Sequence, residues 1–403
     1  MARSAVIVFL CLLLAGCGRS GDNTLTVAMS LAEEEWKVFR EDIFPRFEKE
    51  FGVKVRSYQI ESGQLAAKLE ALKAAGRSGI DVFAQDNMSL SLLVNKGLVS
   101  DLSPHEGEIP EEVLPNLVRS CKFDGRLMFM PFRPNVQIVY YNKDAFAKYG
   151  LKAPKSWDAL LNVAKEFKEK EGLGRVLLKG FGGNPTATQV YELILQAGGS
   201  PYSFNDKGCV AAFRFLKELS PYISVESKRA KWDTTNEILA RKEAYIAQNW
   251  PFGVMVLVRR YGIDSIGTYS GWAGPKGEHH VIGGDVFGIP SESRNKDLAL
   301  KFILYTERKD IQEILVSRLG WPPIRADAYA AVDEWLKPHF GSVKRALESG
   351  VFREQVSWWP AYEKYINEAF KEIVMEGRPV EEVLDKYKAM LEKEKAVKIT
   401  RYE

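Results

Sequence analysis

Tryptophans beside turn residues and polar side chains at strand ends are the groups in this sequence best suited to holding a ligand. The 403-residue chain has nine tryptophans, and Trp250 follows a predicted strand within Asn249-Trp250-Pro251. A tryptophan beside Gly or Pro is often half exposed, which suits a ligand cleft as well as a packed loop. Asp86 and Asn87 end another predicted strand, where they either bind a polar ligand or form a surface turn.

Residues arranged for catalysis are not found. The chain has four histidines, and the adjacent pair His279-His280 does not share a face of a helix or a strand. The glycines from Gly283 to Gly288 lack the Lys-Ser or Lys-Thr that completes a phosphate-binding loop. We therefore expect a protein that is not an enzyme and has neither metal nor cofactor.

The start of the chain predicts export. Arg3 precedes an apolar run over residues 5–14, and Leu14-Ala15-Gly16-Cys17 follows. This order is typical of a secretory signal peptide, and about ten apolar residues are too few for a helix that spans a bilayer. The cysteine after Leu-Ala-Gly is similar to the lipobox of bacterial lipoproteins, which predicts a signal at residues 1–16, lipid on Cys17 and a tether at 17–23. The alternative is an ordinary signal cleaved nearby.

Composition points to a two-lobed globular protein. Removing the signal leaves about 387 residues, which is above the size at which one hydrophobic core divides. The net charge is only +3 and no strongly basic arm is present, so nucleic acid is not an expected partner. Cys121 and Cys209 either pair in an oxidising compartment or are buried free thiols.

Strand and helix patterns alternate along the first third of the chain. Strands are predicted over residues 24–29, 53–60 and 80–84, with helices between them. This order predicts an α/β fold with a mostly parallel sheet. Ligands bind at the carboxyl ends of such strands, which brings Glu35 and Gln64 beside Asp86 and Asn87 as candidates.

The segment over residues 125–142 predicts a passage between two lobes. It has two extended runs, and Pro131 and Pro134 argue against a continuous central strand there. A second α/β pattern begins near Trp157, with Ser156 as the predicted N-cap of a helix.

Several motifs in order resemble one family. Gly125-Arg126-Leu127-Met128-Phe129-Met130-Pro131 is followed by Tyr140-Tyr141-Asn142-Lys143-Asp144, and later by Ala153-Pro154-Lys155-Ser156-Trp157-Asp158. Gly283-Gly284 with Gly288-Ile289-Pro290 comes further along. The chain resembles the extracellular solute-binding proteins of ABC importers, in the branch that includes maltose- and trehalose-binding lipoproteins.

This resemblance implies a two-lobed periplasmic-binding-protein fold, with three crossovers and the ligand in the cleft between lobes. The crossovers would lie near residues 132–134, 281–283 and 323–325. The N-lobe would comprise 24–131 plus 284–322, and the C-lobe 135–280 plus 326–403. The lobes would close around ligand by a hinge motion and deliver it to an ABC permease. The protein would be a monomer held outside the cytoplasm at a membrane.

The ligand implied by the resemblance is a di- or oligosaccharide. Tryptophans stack on the C–H faces of a sugar, while carboxylates, amides and arginines bind its hydroxyls. The expected ligand residues are Glu35, Gln64, Asp86, Asn87, Arg133, Asn135, Trp250, Trp272, Gly284, Asp285, Trp321 and Arg353. Asp285 departs from the family pattern, which often has an aromatic residue after the paired glycines.

Two alternatives remain open at this stage. The same fold could bind a polyol, a sugar phosphate or an oligopeptide, and an anionic ligand would need Arg133, Arg325 and Arg353 to converge. A secreted carbohydrate-active enzyme would instead need two carboxylates facing each other across the cleft.

Overall fold

A computed structural model describes residues 23–87, 90–354, 356 and 358–399. The strands are β1 (Thr24–Met29), β2 (Lys54–Gln59), β3 (Val82–Asp86), β4 (Lys122–Phe123), β5 (Arg126–Leu127), β6 (Met130–Val136), β7 (Ile138–Asn142), β8 (Val176–Leu177), β9 (Ile246–Asn249), β10 (Ile266–Tyr269), β11 (His280–Gly288) and β12 (Gly350–Phe352). The helices are α1 (Glu33–Val38), α2 (Phe44–Phe51), α3 (Ser62–Ala74), α4 (Leu90–Asn95), α5 (Pro115–Ser120), α6 (Lys143–Lys148), α7 (Trp157–Glu171), α8 (Gly183–Gln196), α9 (Lys207–Leu219), α10 (Trp232–Ala240), α11 (Phe252–Met255), α12 (Lys296–Thr306), α13 (Lys309–Leu319), α14 (Lys337–Glu348), α15 (Trp359–Phe370) and α16 (Val380–Ile399).

The first sheet has the strand order β12-β11-β3-β1-β2, and β6 also pairs with β11. Strands β1, β2 and β3 are parallel, as predicted, whereas β11 runs antiparallel to both β3 and β6. Strands β11 and β12 are also parallel, so three of the five strand pairs in this sheet are parallel and the expectation of a mostly parallel sheet holds. Strands β6 and β11 run in opposite directions along their shared ladder.

The second sheet has the strand order β10-β7-β9-β8. Strands β8 and β9 are parallel, so their carboxyl ends lie at the same edge, and β7 is antiparallel to β9. Helix α7 begins as the sequence predicts, with the Ser156 hydroxyl accepting a hydrogen bond from the Ala159 amide at 3.2 Å. An N-cap of this kind satisfies one of the amides that the first turn of a helix leaves without an internal partner.

The two prolines of β6 do not interrupt it, so the two extended runs of this segment are separated at Gln137 and not at residues 133–135. The argument against a central strand agrees with the structure, because β6 pairs with β11 alone among the described strands. Strand β6 runs through Pro131 and Pro134 and pairs with β11, with a register irregularity between Asp285 and Val286. Proline cannot donate to a ladder, but β6 lies off the main strand path, where a missing donor is tolerated.

Buried apolar side chains form separate clusters. The first core draws on residues between 25 and 132 and between 286 and 321. The second core draws on residues between 139 and 281 and between 362 and 391. A third cluster includes Val136 of β6, Ile282 of β11 and Ile324 after α13, all of them fully buried. It therefore packs side chains from the three segments in which crossovers are predicted.

Cys121 and Cys209 are buried free thiols, which decides between the two alternatives for these residues. Burial raises the pKa of each thiol to about 12, so neither reacts readily as a thiolate. Cys17 lies outside the described residues. Within the described part of the chain, no helix has the length and apolar character needed to cross a bilayer.

Candidate functional site

Arg133 is the centre of a charged cluster at the carboxyl edge of the first sheet. Its Nη1 donates to Glu35 Oε1 at 2.9 Å, and its Nη2 forms an ion pair with Asp285. Its guanidinium lies 4.8 Å from the ring centroid of Trp321, and Trp321 Nε1 donates to Glu35 Oε1 at 3.0 Å. We call Glu35, Arg133, Asp285 and Trp321 the Arg133 cluster. The structure thus brings together four residues that are distant in sequence, and each of them is among the residues expected to contact the ligand.

The elements that carry the Arg133 cluster explain its geometry. Glu35 lies in the first turn of α1, directly after the carboxyl end of β1. Arg133 and Asp285 are partners in the β6–β11 register. Trp321 follows α13 and packs with its ring edge toward Phe132, at 5.5 Å between centroids. The cluster is therefore held by a strand end, a strand pair and a helix end at once.

The Arg133 cluster keeps part of its surface open to solvent. The side chain of Arg133 is 24% exposed, that of Glu35 21% and that of Asp285 11%. Burial lowers the pKa of Arg133, but Asp285 and Glu35 outweigh it and raise the pKa above its usual value. The guanidinium stays charged, and two of its five N–H donors are used by the two carboxylates.

Asp86 and Asn87 border the Arg133 cluster at the end of β3. Asp86 is the register partner of Asp285, and its charge acts on both Arg133 and Arg353. Asn87 is buried, and its Nδ2 donates to the carbonyl of Ile282 at 3.0 Å. Asn87 Oδ1 is also buried and has no hydrogen-bond partner among the described residues.

Gly284 permits the close approach of β6 and β11. Its φ is +101°, and a Cβ at this position would lie 2.0 Å from the carbonyl oxygen of Arg133. Any side chain would force the strands apart and displace Arg133. Asn135 is partly exposed on β6 and is the register partner of Gly283.

Trp250 forms an aromatic pair with Trp232. Trp250 follows β9, its carbonyl accepts from the Tyr140 hydroxyl at 2.7 Å, and both tryptophans are partly exposed. The ring centroids of Trp232 and Trp250 are 5.0 Å apart, with 53° between the ring planes. Asn249 Nδ2 donates to the Trp232 carbonyl at 2.8 Å, which fixes the start of α10 beside the end of β9. We call Trp232 and Trp250 the aromatic pair.

The aromatic pair reaches the Arg133 cluster through β11. A Cβ on Gly283 would lie 3.1 Å from Trp250 Cη2, so the indole packs directly on this glycine. Gly283 and Asp285 are two residues apart on β11, which is about 7 Å along a strand. The aromatic pair, at the edge of the second sheet, and the Arg133 cluster, at the edge of the first sheet, thus meet at Gly283 and Gly284.

Arg353 lies after β12 and is buried. Its Nη1 donates to Thr188 Oγ1 at 2.9 Å, and its guanidinium lies 4.9 Å from the ring centroid of Trp359. Burial lowers the pKa of Arg353, and Asp86 is the largest opposing influence. Arg353 therefore borders the site through Asp86.

Two predicted ligand residues lie apart from these groups. Trp272 is 2% exposed and packs in the second core, so it presents no ring face to a ligand and we remove it from the candidate site. Its burial follows from packing around β10 and α7, which the sequence pattern did not reveal. Gln64 is exposed on the first turn of α3, and its side chain makes no hydrogen bond to the described residues.

Two residues of this region were missed by the sequence analysis. Trp232 begins α10, and Lys179 lies close to its ring. The sequence signal for Trp232 was a tryptophan at the start of a helix. Nothing in the sequence indicated that this side chain lies beside Trp250. Across the described residues, no group of three or more His, Cys, Asp or Glu side chains is placed to hold a metal ion.

Comparison with known proteins identifies the family. A family model for bacterial extracellular solute-binding proteins matches residues 42–341. The maltooligosaccharide ABC transporter solute-binding lipoprotein of Streptococcus pneumoniae serotype 4 is 24% identical over 352 residues, covering 79% of this chain and 78% of the relative. The diacetylchitobiose binding protein DasA of Streptomyces coelicolor is 25% identical over 304 residues, covering 72% of this chain and 70% of the relative.

A solved structure shares the fold. The sugar-binding protein MalE from Xanthomonas citri matches with a TM-score of 0.82 at 19% identity, covering 94% of this chain and 100% of that chain. The predicted α/β periplasmic-binding-protein fold is thereby confirmed. The chain belongs to the bacterial extracellular solute-binding proteins, as the resemblance of its motifs predicted.

Proposed function

We propose that this protein is the receptor of an ABC importer for a di- or oligosaccharide of the maltose or trehalose kind. The observation that carries the proposal is the meeting of the aromatic pair and the Arg133 cluster at the paired glycines of β11. Indole faces suit the C–H faces of a sugar, and carboxylates suit its vicinal hydroxyls. The relatives named for maltooligosaccharide and diacetylchitobiose support the same ligand class.

A neutral ligand fits the charges better than an anionic one. Arg133 is occupied by Glu35 and Asp285, and Arg325 is engaged elsewhere, by Asp327 at 2.9 Å and Glu112 at 3.0 Å. The convergence of Arg133 with Arg325 that a sugar phosphate would need is therefore not supported. Glu35 and Asp285 bind one guanidinium side by side, whereas a glycosidase needs its two carboxylates on opposite sides of the scissile bond.

The lobes we propose are 24–131 plus 284–322 and 135–280 plus 326–403, closing on the ligand about the crossovers. The first and second cores draw on these two sets of residues, which supports this division. Closure would bring the aromatic pair and the Arg133 cluster onto opposite sides of one ligand. Delivery to a permease follows as the role of such a receptor.

We also propose that lipid on Cys17 anchors the protein outside the cytoplasm, with residues 17–23 as a tether. The sequence before Cys17 supports this location. The expectation that the protein is a monomer and not an enzyme is part of the same proposal. A receptor confined near its permease would not be lost to the medium.

A thermal-shift panel tests the proposed function. Purified protein is heated with maltose, maltotriose, trehalose, ribitol, glycerol 3-phosphate or a tripeptide, and each mixture is then analysed by chromatography. The proposal predicts a raised melting temperature with at least one of the sugars and no change in that sugar. Stabilisation by glycerol 3-phosphate or the tripeptide alone, or the appearance of a sugar product, would contradict it.

A further inference from the structure

Lys179 is a buried cation that the proposed function leaves without a role. It comes two residues after β8, and β8 is parallel to β9, so Lys179 and Trp250 follow strands that end at the same edge. The residue is only 2% exposed. A lysine is almost never this buried unless it is paired, so its surroundings need an explanation.

The ammonium group of Lys179 joins three parts of the candidate site. Its Nζ donates to Gln137 Oε1 at 2.7 Å and to the Gln248 carbonyl at 2.7 Å. The same Nζ lies 5.0 Å from the ring centroid of Trp232. Gln137 separates β6 from β7, and Gln248 belongs to β9. One charge therefore links the residue between β6 and β7, a strand of the second sheet and one ring of the aromatic pair.

A carboxylate does not neutralise this ammonium directly. Among the described residues no acidic side chain lies within ion-pair distance of Lys179, and Glu192 on α8 acts on it from further away. Glu192 is itself engaged, accepting from Gln248 Nε2 at 2.6 Å and from the Val281 amide at 3.1 Å. The stabilisation of the Lys179 charge thus depends on two carbonyl oxygens and the Trp232 ring face.

We propose that Lys179 is a positioning residue, whose positive charge holds Trp232 in place for the ligand and ties it to Gln137, between β6 and β7. This inference rests on the proposed function, because it treats the aromatic pair as the stacking surface. A cation against an indole face is attracted by the ring quadrupole, and the attraction disappears when the amine is neutral. Ligand affinity at this site therefore depends on the protonation of a residue that is buried beneath it.

The burial of Lys179 places its titration in the neutral range. Burial lowers its pKa to about 7, with Glu192 acting in the opposite direction. The titratable groups packed nearby are Glu192, whose pKa is raised by burial, and beyond it His280, which bonds Glu278 at 2.7 Å. Gln137, Gln248 and Trp232 do not ionise. The ammonium is present below about pH 7 and is lost as the pH rises through that value.

The first test needs no ligand and follows tryptophan fluorescence from pH 5.5 to pH 8.5. We expect a transition near pH 7 in the natural protein, its loss in Lys179→Met and a much smaller amplitude in Trp232→Phe. Lys231→Met is the matched control, because Lys231 is partly exposed, adjacent to Trp232 in sequence and 5.7 Å from the Phe181 ring. The control should keep the transition. An unchanged transition in Lys179→Met, or in Trp232→Phe if Lys179→Met does not fold, would overturn the inference.

The second test measures affinity for maltotriose at pH 6 and pH 8 by calorimetry. We expect the natural protein and Lys231→Met to bind about fivefold more weakly at pH 8, as loss of one cation–π contact predicts. Lys179→Met should bind weakly at both pH values. Equal pH dependence in Lys179→Met would overturn the inference. If the natural protein binds none of the sugars in the panel, the proposed function fails, while the fluorescence experiment still decides whether Lys179 titrates beneath Trp232.

Discussion

Arg133 and Asp285 are register partners on β6 and β11, and their side chains form an ion pair beside Gly284. This pair accounts for the acidic residue at a place where the motif resemblance implies an aromatic one. Without Asp285, the Arg133 guanidinium would have Glu35 as its direct carboxylate partner. The carboxylate therefore stabilises a charge on the neighbouring strand, in addition to any contact it makes with a ligand.

Removing Arg133 should destabilise the protein more than removing Asp285. Arg133→Met leaves Glu35 and Asp285 close together without their shared cation, and we expect a loss of about 3 kcal/mol in the free energy of unfolding. Asp285→Asn leaves Arg133 paired with Glu35, so we expect about 1 kcal/mol. Both values are measured by urea denaturation at pH 7.

The double variant Arg133→Met/Asp285→Asn serves as the control for this pair. It should lose less than the sum of the two single losses, because the unpaired carboxylate is also removed. Additive losses would mean that the two side chains do not interact in the folded protein.

Substitution of Trp250 should lower sugar affinity, whereas substitution of Trp272 should lower the stability of the fold. Trp250→Ala removes a partly exposed ring, and we expect at least about a tenfold loss of sugar affinity with a small change in stability. Trp272→Ala empties part of the second core, and we expect a loss of about 3–5 kcal/mol in stability. Calorimetry with sugar and urea denaturation measure the two effects. If Trp272→Ala lost sugar affinity and Trp250→Ala lost only stability, the ligand would contact Trp272 and not Trp250.

Glu307 should make stability fall with rising pH. It is completely buried, both carboxyl oxygens lack a hydrogen-bond partner among the described residues, and burial raises its pKa to about 8 while Arg325 opposes the shift. An unfolded glutamate has a pKa of about 4.3, so between about pH 5 and pH 8 only the folded chain holds this proton. Stability contributed by the neutral form is therefore lost as the pH rises through that window.

Glu307→Gln keeps this side chain neutral at every pH. Relative to the natural protein, we expect the variant to gain about 2 kcal/mol in unfolding free energy between pH 5 and pH 8.5. Glu112→Gln is the matched control, because Glu112 forms an ion pair with Arg325 but is half exposed. A pH-independent difference for Glu307→Gln would show that Glu307 is ionised throughout.

Cys17→Ala should release the protein from the membrane. In bacterial cells that export the full chain, we expect the natural protein in the membrane fraction and the variant in a soluble extracytoplasmic fraction. Cys121→Ala is the control, because that thiol is buried and should leave the fractionation unchanged. Membrane association of Cys17→Ala would contradict lipid attachment at this residue.

Local patterns in the sequence predicted the local structure well. The alternating residues of β1 and the Ser156 cap depend on neighbours within a few positions, and both are confirmed. The Arg133 cluster was reached through strand ends and motif positions, although its four members are far apart in sequence. What the sequence could not show is that Arg133 already has two carboxylate partners.

The errors concern contacts between distant segments. The sequence predicted two extended runs joined at residues 133–135, but β6 continues through Pro134 because it pairs on one side only, where proline is tolerated. Trp272 has the same turn-like setting as Trp250, yet packing from other elements covers it. Trp232 and Lys179 were missed because their importance comes from their mutual contact, and they are 53 positions apart in the sequence.

A calorimetric titration of the natural protein and Trp250→Ala with maltotriose at pH 6.5 decides whether a sugar binds at the aromatic pair. We expect saturable one-to-one binding to the natural protein with a micromolar dissociation constant, and binding at least about tenfold weaker to the variant. Equal affinity in the two proteins would place the ligand away from the aromatic pair. Absence of saturable binding for maltotriose, maltose and trehalose alike would contradict the assignment of this protein as a receptor for sugars of this kind.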